Sequence, residues 1–148
     1  MADKKELADM LSRNEELLSR LYKIYSQKIP AYSDFWLRLS DDERMHAQKI
    51  REFYNNNDIK INISFIKKTD LLSFAKEAEG AIKKAEGGDV DFLEALEKAL
   101  ALEKKLSEKK FFEAFVSDSS EANFYLNEIA ESIEKHRQRI EKMIDKSK

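Results

Sequence analysis

The sequence predicts an all-α fold, an antiparallel four-helix bundle in a single domain. Three observations predict it. Apolar residues recur at three- and four-residue intervals through four long segments, which is the helical period. Helix breakers are scarce, with one proline and three glycines in 148 residues, while Glu, Lys, Leu and Ala abound. The connections between the four segments run short, long, short.

The first helix is expected over roughly residues 3–28. Asp3 and Glu6 have the spacing of a capping box, and Leu7, Leu11, Leu18, Tyr22 and Tyr25 mark the seam. Pro30 ends it, because proline lacks a backbone donor and restricts the residue before it. The second helix is expected over roughly 31–54, with Tyr32, Phe35, Trp36, Leu39, Ala47, Ile50 and Phe53 in period. So short a connection makes these two helices antiparallel neighbours. Asn55-Asn56-Asn57-Asp58 stops the second helix. Ile59, Ile61, Ile63 and Phe65 then alternate with polar residues. That period is strand-like, but a lone strand has no partner here. The stretch is expected to cross the bundle surface extended, covering it or forming part of a homodimer contact.

A short extra helix is expected from about Thr69 to Glu86, ending at Gly87-Gly88. The third bundle helix is expected over roughly 89–115, with Phe92, Leu93, Leu96, Leu100, Leu106 and Phe112. Ser117-Asp118-Ser119-Ser120 supplies a turn and an N-cap. The fourth helix is expected over roughly 120–145, with Phe124, Ile129, Ile133, Ile140 and Ile144. The two hairpins form a weak internal repeat, each with an acidic first helix and a histidine in the second.

Composition excludes several classes. The net charge is −2, with acids and bases mixed along the chain, so no basic stripe marks a nucleic-acid surface. There is no cysteine, which removes disulfides, thiolate metal sites and cysteine nucleophiles and is compatible with a reducing cytoplasm. No apolar run approaches the ~20 residues that span a bilayer. The start, Met-Ala-Asp-Lys-Lys-Glu, lacks the apolar h-region of a signal peptide. A cytoplasmic protein with no membrane and no nucleic-acid partner is expected.

Function is sought where polar residues interrupt apolar seams. Glu15 lies on the line Leu11, Glu15, Leu18, Tyr22; Glu103 lies on Leu96, Leu100, Glu103, Leu106; His136 lies on Ile129, Ile133, His136, Ile140. Glu43 and His46 are three apart and share a face that also carries Trp36, Leu39 and Ile50. His46 and His136 are all the histidine in the chain. Buried carboxylates need compensating charge, and a divalent metal supplies it. Two metals held inside a bundle take one Glu from each of two helices and a Glu-x-x-His pair from each of the other two. Each residue also has a plainer reading. Glu15 stands beside Glu16, so the seam can be read one residue out. Glu103 can be a surface glutamate and His136 a core-edge histidine. Tyr22, Tyr25, Phe35, Trp36 and Phe112 read as core packing rather than redox relays.

The stretch NEELLSRLYKIYSQKIPAYSDFWLRLSDDERMHAQKI resembles the first hairpin of rubrerythrin-type ferritin-like proteins. Glu15 precedes Tyr22 by the family's interval, and Glu43-Arg44-Met45-His46-Ala47 matches its Glu-x-x-His-Ala motif. The second hairpin, FLEALEKALALEKKLSEKKFFEAF followed by FYLNEIAESIEKHRQRI, is similar but weaker. There Glu103 matches the third-helix ligand and His136 the fourth-helix histidine. The resemblance implies a ferritin-like antiparallel four-helix bundle with one long crossover, containing a short extra helix. It implies a metal site of Glu15, Glu43, His46, Glu103 and His136. One position departs: the glutamate expected three residues before His136 is Ile133. In the family that glutamate bridges the metals. A one-residue π-bulge that brings Glu131 inward is the alternative way to complete the set.

The implied function is an oxidoreductase acting on peroxide or oxygen through iron. One or two ions are expected, with manganese and zinc as alternatives and a metal-free bundle as the remaining case. The implied partners are an external electron donor, since the chain lacks cysteines for an iron–sulfur module, and a second copy of the chain. The competing reading is a non-catalytic interaction or structural bundle with a vestigial or single-metal site. Iron storage is weaker, because nothing in the sequence marks shell-forming interfaces. Ile133 predicts at most one tightly held metal, centred on Glu43 and His46.

Overall fold

A computed structural model of the chain describes residues 4–56, 60–61, 67–108, 115–116 and 119–148. Five helices account for most of them: α1 Lys4–Lys28, α2 Ser33–Asn55, α3 Lys68–Glu86, α4 Phe92–Glu108 and α5 Ser120–Ser147. A single 3-10 turn, Pro30–Tyr32, joins α1 to α2. Pro30 sits in its first turn, where a missing N–H costs nothing.

Cross-helix pairs give the directions. Tyr25 packs on Trp36, Ser19 bonds Ser40, and Glu16 pairs with Arg51, so α1 and α2 run antiparallel. His136 meets Asp42 while Tyr125 meets Phe53, so α2 and α5 are also antiparallel. Glu6 pairs with Lys68, Arg13 with Glu79, and Arg20 with Glu86, which sets α3 parallel to α1. The chain therefore descends in α2, climbs back in α3, and turns at Gly87 and Gly88 to descend again in α4.

The extra helix is more than a short insertion. At 19 residues it is longer than α4, with 17. Leu71, Phe74, Ala78, Ile82 and Ala85 form its buried stripe, and it packs chiefly on α1. This explains the wide buried face of α1, which takes in Ser12, Asn14 and Ser26 as well as its leucines. Asn14 donates to the Leu71 carbonyl (3.3 Å), so its burial is satisfied.

Several expectations need correction. The strand-like stretch does have a partner: Lys60 and Ile61 pair antiparallel with Val116 and Phe115. Phe115 falls at the end of the stretch expected as helix, and among the described residues α4 spans Phe92–Glu108. Its start is also later than Asp89, because the Asp91 carboxylate caps the Glu94 N–H (3.0 Å). Tyr32 is exposed and stacks on Phe92, with ring centroids 4.0 Å apart, and Phe124 is exposed on α5. Ala122 and Leu126 are buried on α5 instead. Ser119 is the α5 cap, its hydroxyl accepting from the Ala122 N–H. Asp3, Ile59, Ile63, Phe65, Phe112, Ser117 and Asp118 lie outside the described residues. Among those described, no helix is long and apolar enough to cross a membrane.

Candidate metal centre

Glu15, Glu43, His46, Glu103 and His136 converge on one interior point from α1, α2, α4 and α5. The three glutamates are fully buried, His136 is 1% exposed and His46 is 8% exposed. The seam ambiguity on α1 resolves to Glu15: Glu16 is exposed and forms an ion pair with Arg51. One residue along a helix is a rotation of about 100°, so only one of two adjacent glutamates can face the core.

The ligand atoms fall into two groups. Those of Glu15, Glu43 and His46 lie within 4.8 Å of one another, and so do those of Glu43, Glu103 and His136. Glu43 belongs to both. His46 Nδ1 is 3.5 Å from Glu43 and 3.6 Å from Glu15. His136 Nδ1 is 2.9 Å from Glu43 Oε1 and 3.3 Å from Glu103 Oε1. The two imidazoles are 6.1 Å apart, centroid to centroid. Either group can hold a metal ion, its ligands being carboxylate oxygens and imidazole nitrogens of the kind iron, manganese and zinc accept.

The two groups differ in how their polar atoms are satisfied. Both oxygens of Glu15, both of Glu43, Glu103 Oε2 and His46 Nδ1 are buried without a hydrogen-bond partner. The Glu43 oxygen nearest His136 is close but out of hydrogen-bonding alignment. Such a concentration of orphaned acceptors costs heavily unless a cation completes it. His136 differs. Its Nδ1 faces Glu103, and its Nε2 lies 2.9 Å from Asp42 Oδ2 and 3.3 Å from the Ser132 hydroxyl.

Charge follows this wiring. Burial disfavours a charged His136, but contacts with Asp42, Glu103 and Glu43 overcome it and push its pKa up to about 12. Burial also acts against an ionised Glu43, yet the two histidines draw its pKa down to about 2. Glu103 goes the other way, to about 7, through burial and the neighbouring Glu43 charge. Its Oε1 accepts a 2.9 Å hydrogen bond from the Tyr22 hydroxyl. Burial and Glu103 hold that phenol well above its ordinary pKa. Asp42 is held below the usual carboxylate range by its His136 contact.

Ile133 is buried at 3%, one helical turn before His136, at the position where the sequence resemblance expects a glutamate. The π-bulge alternative does not hold: α5 is a continuous α-helix and Glu131 is exposed. Sequence reasoning missed Asp42 and Ser132. Ser132 had a signal in its spacing, four residues or one turn before His136, whereas the Asp42 contact crosses from α2 to α5 and left none. It also read Tyr22 as packing alone. The ring does pack on Trp36, 5.7 Å between centroids, but its hydroxyl belongs to the site.

No family model, curated protein or solved structure matches this chain. The functional reading therefore stands on the site itself.

Proposed function

We propose that this chain is a ferritin-like bundle of rubrerythrin-type ancestry that binds one divalent ion on Glu15, Glu43 and His46. In this reading α1, α2, α4 and α5 are the four bundle helices and α3 is the crossover. The observation that carries it is the set of orphaned carboxylate oxygens beside an unpartnered imidazole nitrogen. Formal charge supports a single ion. Three ionised glutamates are cancelled by one divalent cation and one protonated His136. Two divalent ions beside a neutral His136 would leave the buried pocket with an excess positive charge.

Iron at this position would supply one-electron chemistry toward peroxide or oxygen. The chain's own residues do the rest. Glu43 holds the ion while lying against His136, and so ties α1 and α2 to α4 and α5. Asp42 and Ser132 fix the His136 ring, a common arrangement around metal-site histidines. Tyr22 holds its proton on the phenol oxygen and donates that hydrogen bond to Glu103. Electrons come from an external donor in this reading.

The second reading is a structural, non-catalytic ion in the same place. Ile133 favours it, since an apolar branched side chain fills the position of a bridging ligand. Elemental analysis of protein purified without added metal, followed by iron(II) titration, tests the binding claim. One ion per chain is expected, rising toward two in Ile133→Glu, where the added carboxylate restores charge balance for a second cation. Two irons per chain in the unmodified protein would overturn the single-ion reading. Peroxide consumption by the iron-loaded protein with a supplied reductant separates the catalytic reading from the structural one.

A further inference from the structure

The buried centre is not sealed equally on all sides. On the α1–α4 side, α3 lies across both helices. Glu79 pairs with Arg13 of α1, and Glu77 pairs with Lys98 and Lys105 of α4. Beneath those ion pairs, Phe74, Ala78 and Ile82 are buried. The clefts at α1–α3 and α3–α4 touch none of the five ligand-type side chains.

The α2–α5 seam is different. A cleft of about 300 Å³ opens there, and both His46 and His136 line it. The three glutamates do not line it and are fully buried. His46 is the most exposed of the five, so this cleft offers the carboxylates an approach from solvent past its imidazole. Asp42, half-exposed, stands in the same cleft and reaches His136. Glu128 and Glu131 stand across from it on α5. Lys49, one turn beyond His46, is drawn aside: its Nζ lies 4.7 Å from the Tyr125 ring centroid and 3.8 Å from Glu52. That cation is thus held against an aromatic face, while Lys135 and Arg139 line the α5 side of the cleft.

We propose that the α2–α5 cleft is the access route by which a divalent cation exchanges with the buried site, met first by the Asp42 carboxylate and passed over His46. This rests on the metal-binding reading above. The route sets rates, while the ligands at its end set affinity. A block in the cleft therefore slows arrival and departure together.

Met45→Trp provides the block, because Met45 lines the cleft and is 59% exposed, so a larger side chain leaves the core alone. Leu72→Trp is the control, an exposed position on α3 at 51%. Cobalt(II) is the probe, followed by stopped-flow absorbance for association and by a chelator chase for release. In Met45→Trp both rates should fall about tenfold, with affinity kept within about twofold. Leu72→Trp should match the unmodified protein. Glu128→Gln with Glu131→Gln should slow association a few-fold at low salt, an effect that fades near ~1 M salt. Unchanged rates in Met45→Trp, with cobalt(II) still bound, would overturn the route and leave the metal reading intact. Equal slowing in Leu72→Trp would also overturn it. An unmodified protein that binds no cobalt(II) would overturn both.

Discussion

A metal bound at this centre would displace protons, because burial and the neighbouring Glu43 charge favour a protonated Glu103. Glu103 titrates near 7 there, above its ordinary value of 4.5, and Glu43 near 2, below it. The signs differ. A raised carboxylate stabilises the fold fully below pH 4.5, and that contribution is lost as pH rises through 7. A depressed carboxylate stabilises above 4.5, and that contribution is lost as pH falls toward 2. The metal-free protein should therefore be most stable in mild acid, weakening on both sides. Denaturant titrations across pH in the presence of a chelator check this. Ion binding should release protons near neutral pH, and affinity should rise with pH. Calorimetry in buffers of different ionisation enthalpy measures the release, and a buffer-independent heat would contradict the protonated pocket.

At the scale of elements, α3 is the one whose role changed most between sequence and structure. Its helix, from about Thr69 to Glu86, was legible in the sequence, but an amphipathic helix does not announce what it packs on, and the structure shows Leu71, Phe74, Ala78 and Ile82 buried. Here it packs chiefly on α1 and returns the chain to the start of α4. Phe74 is 1% exposed, and Phe74→Ala should cost about 3–5 kcal/mol of stability. A loss below about 1 kcal/mol, the range of ordinary surface changes, would make α3 peripheral. α4 gives the opposite lesson. Its periodic leucines gave away its existence, while its start was set by one capping carboxylate, Asp91.

For the whole molecule, an ion bound at this centre would act as a clasp. Its residues come from four helices belonging to two hairpins, and Glu43 touches both halves of the set. An ion that binds only the folded chain stabilises it by about 2.7 kcal/mol at a hundredfold excess over Kd. For a chain of this size that is a rise in Tm of about 5–10 °C. Thermal melts with and without a chelator measure it. No shift on adding iron(II), manganese(II) or zinc(II) would argue against a site that any of them completes.

The sequence by itself determined the helices, the order of short and long connections, and the five residues that meet. It could do so because helical periodicity is local: a glutamate on a leucine seam faces wherever the leucines face. The resemblance it carries marked Ile133 as the position where a glutamate ligand is expected. The tertiary structure decided what periodicity cannot hold. It chose Glu15 over Glu16 and brought Asp42 to a histidine 94 residues away. It turned the Tyr22 hydroxyl to Glu103, and it left His136 hydrogen-bonded while the Glu15 oxygens and His46 Nδ1 make no hydrogen bond. These are facts about distances between helices, and they arise only when α1, α2, α4 and α5 are packed against one another.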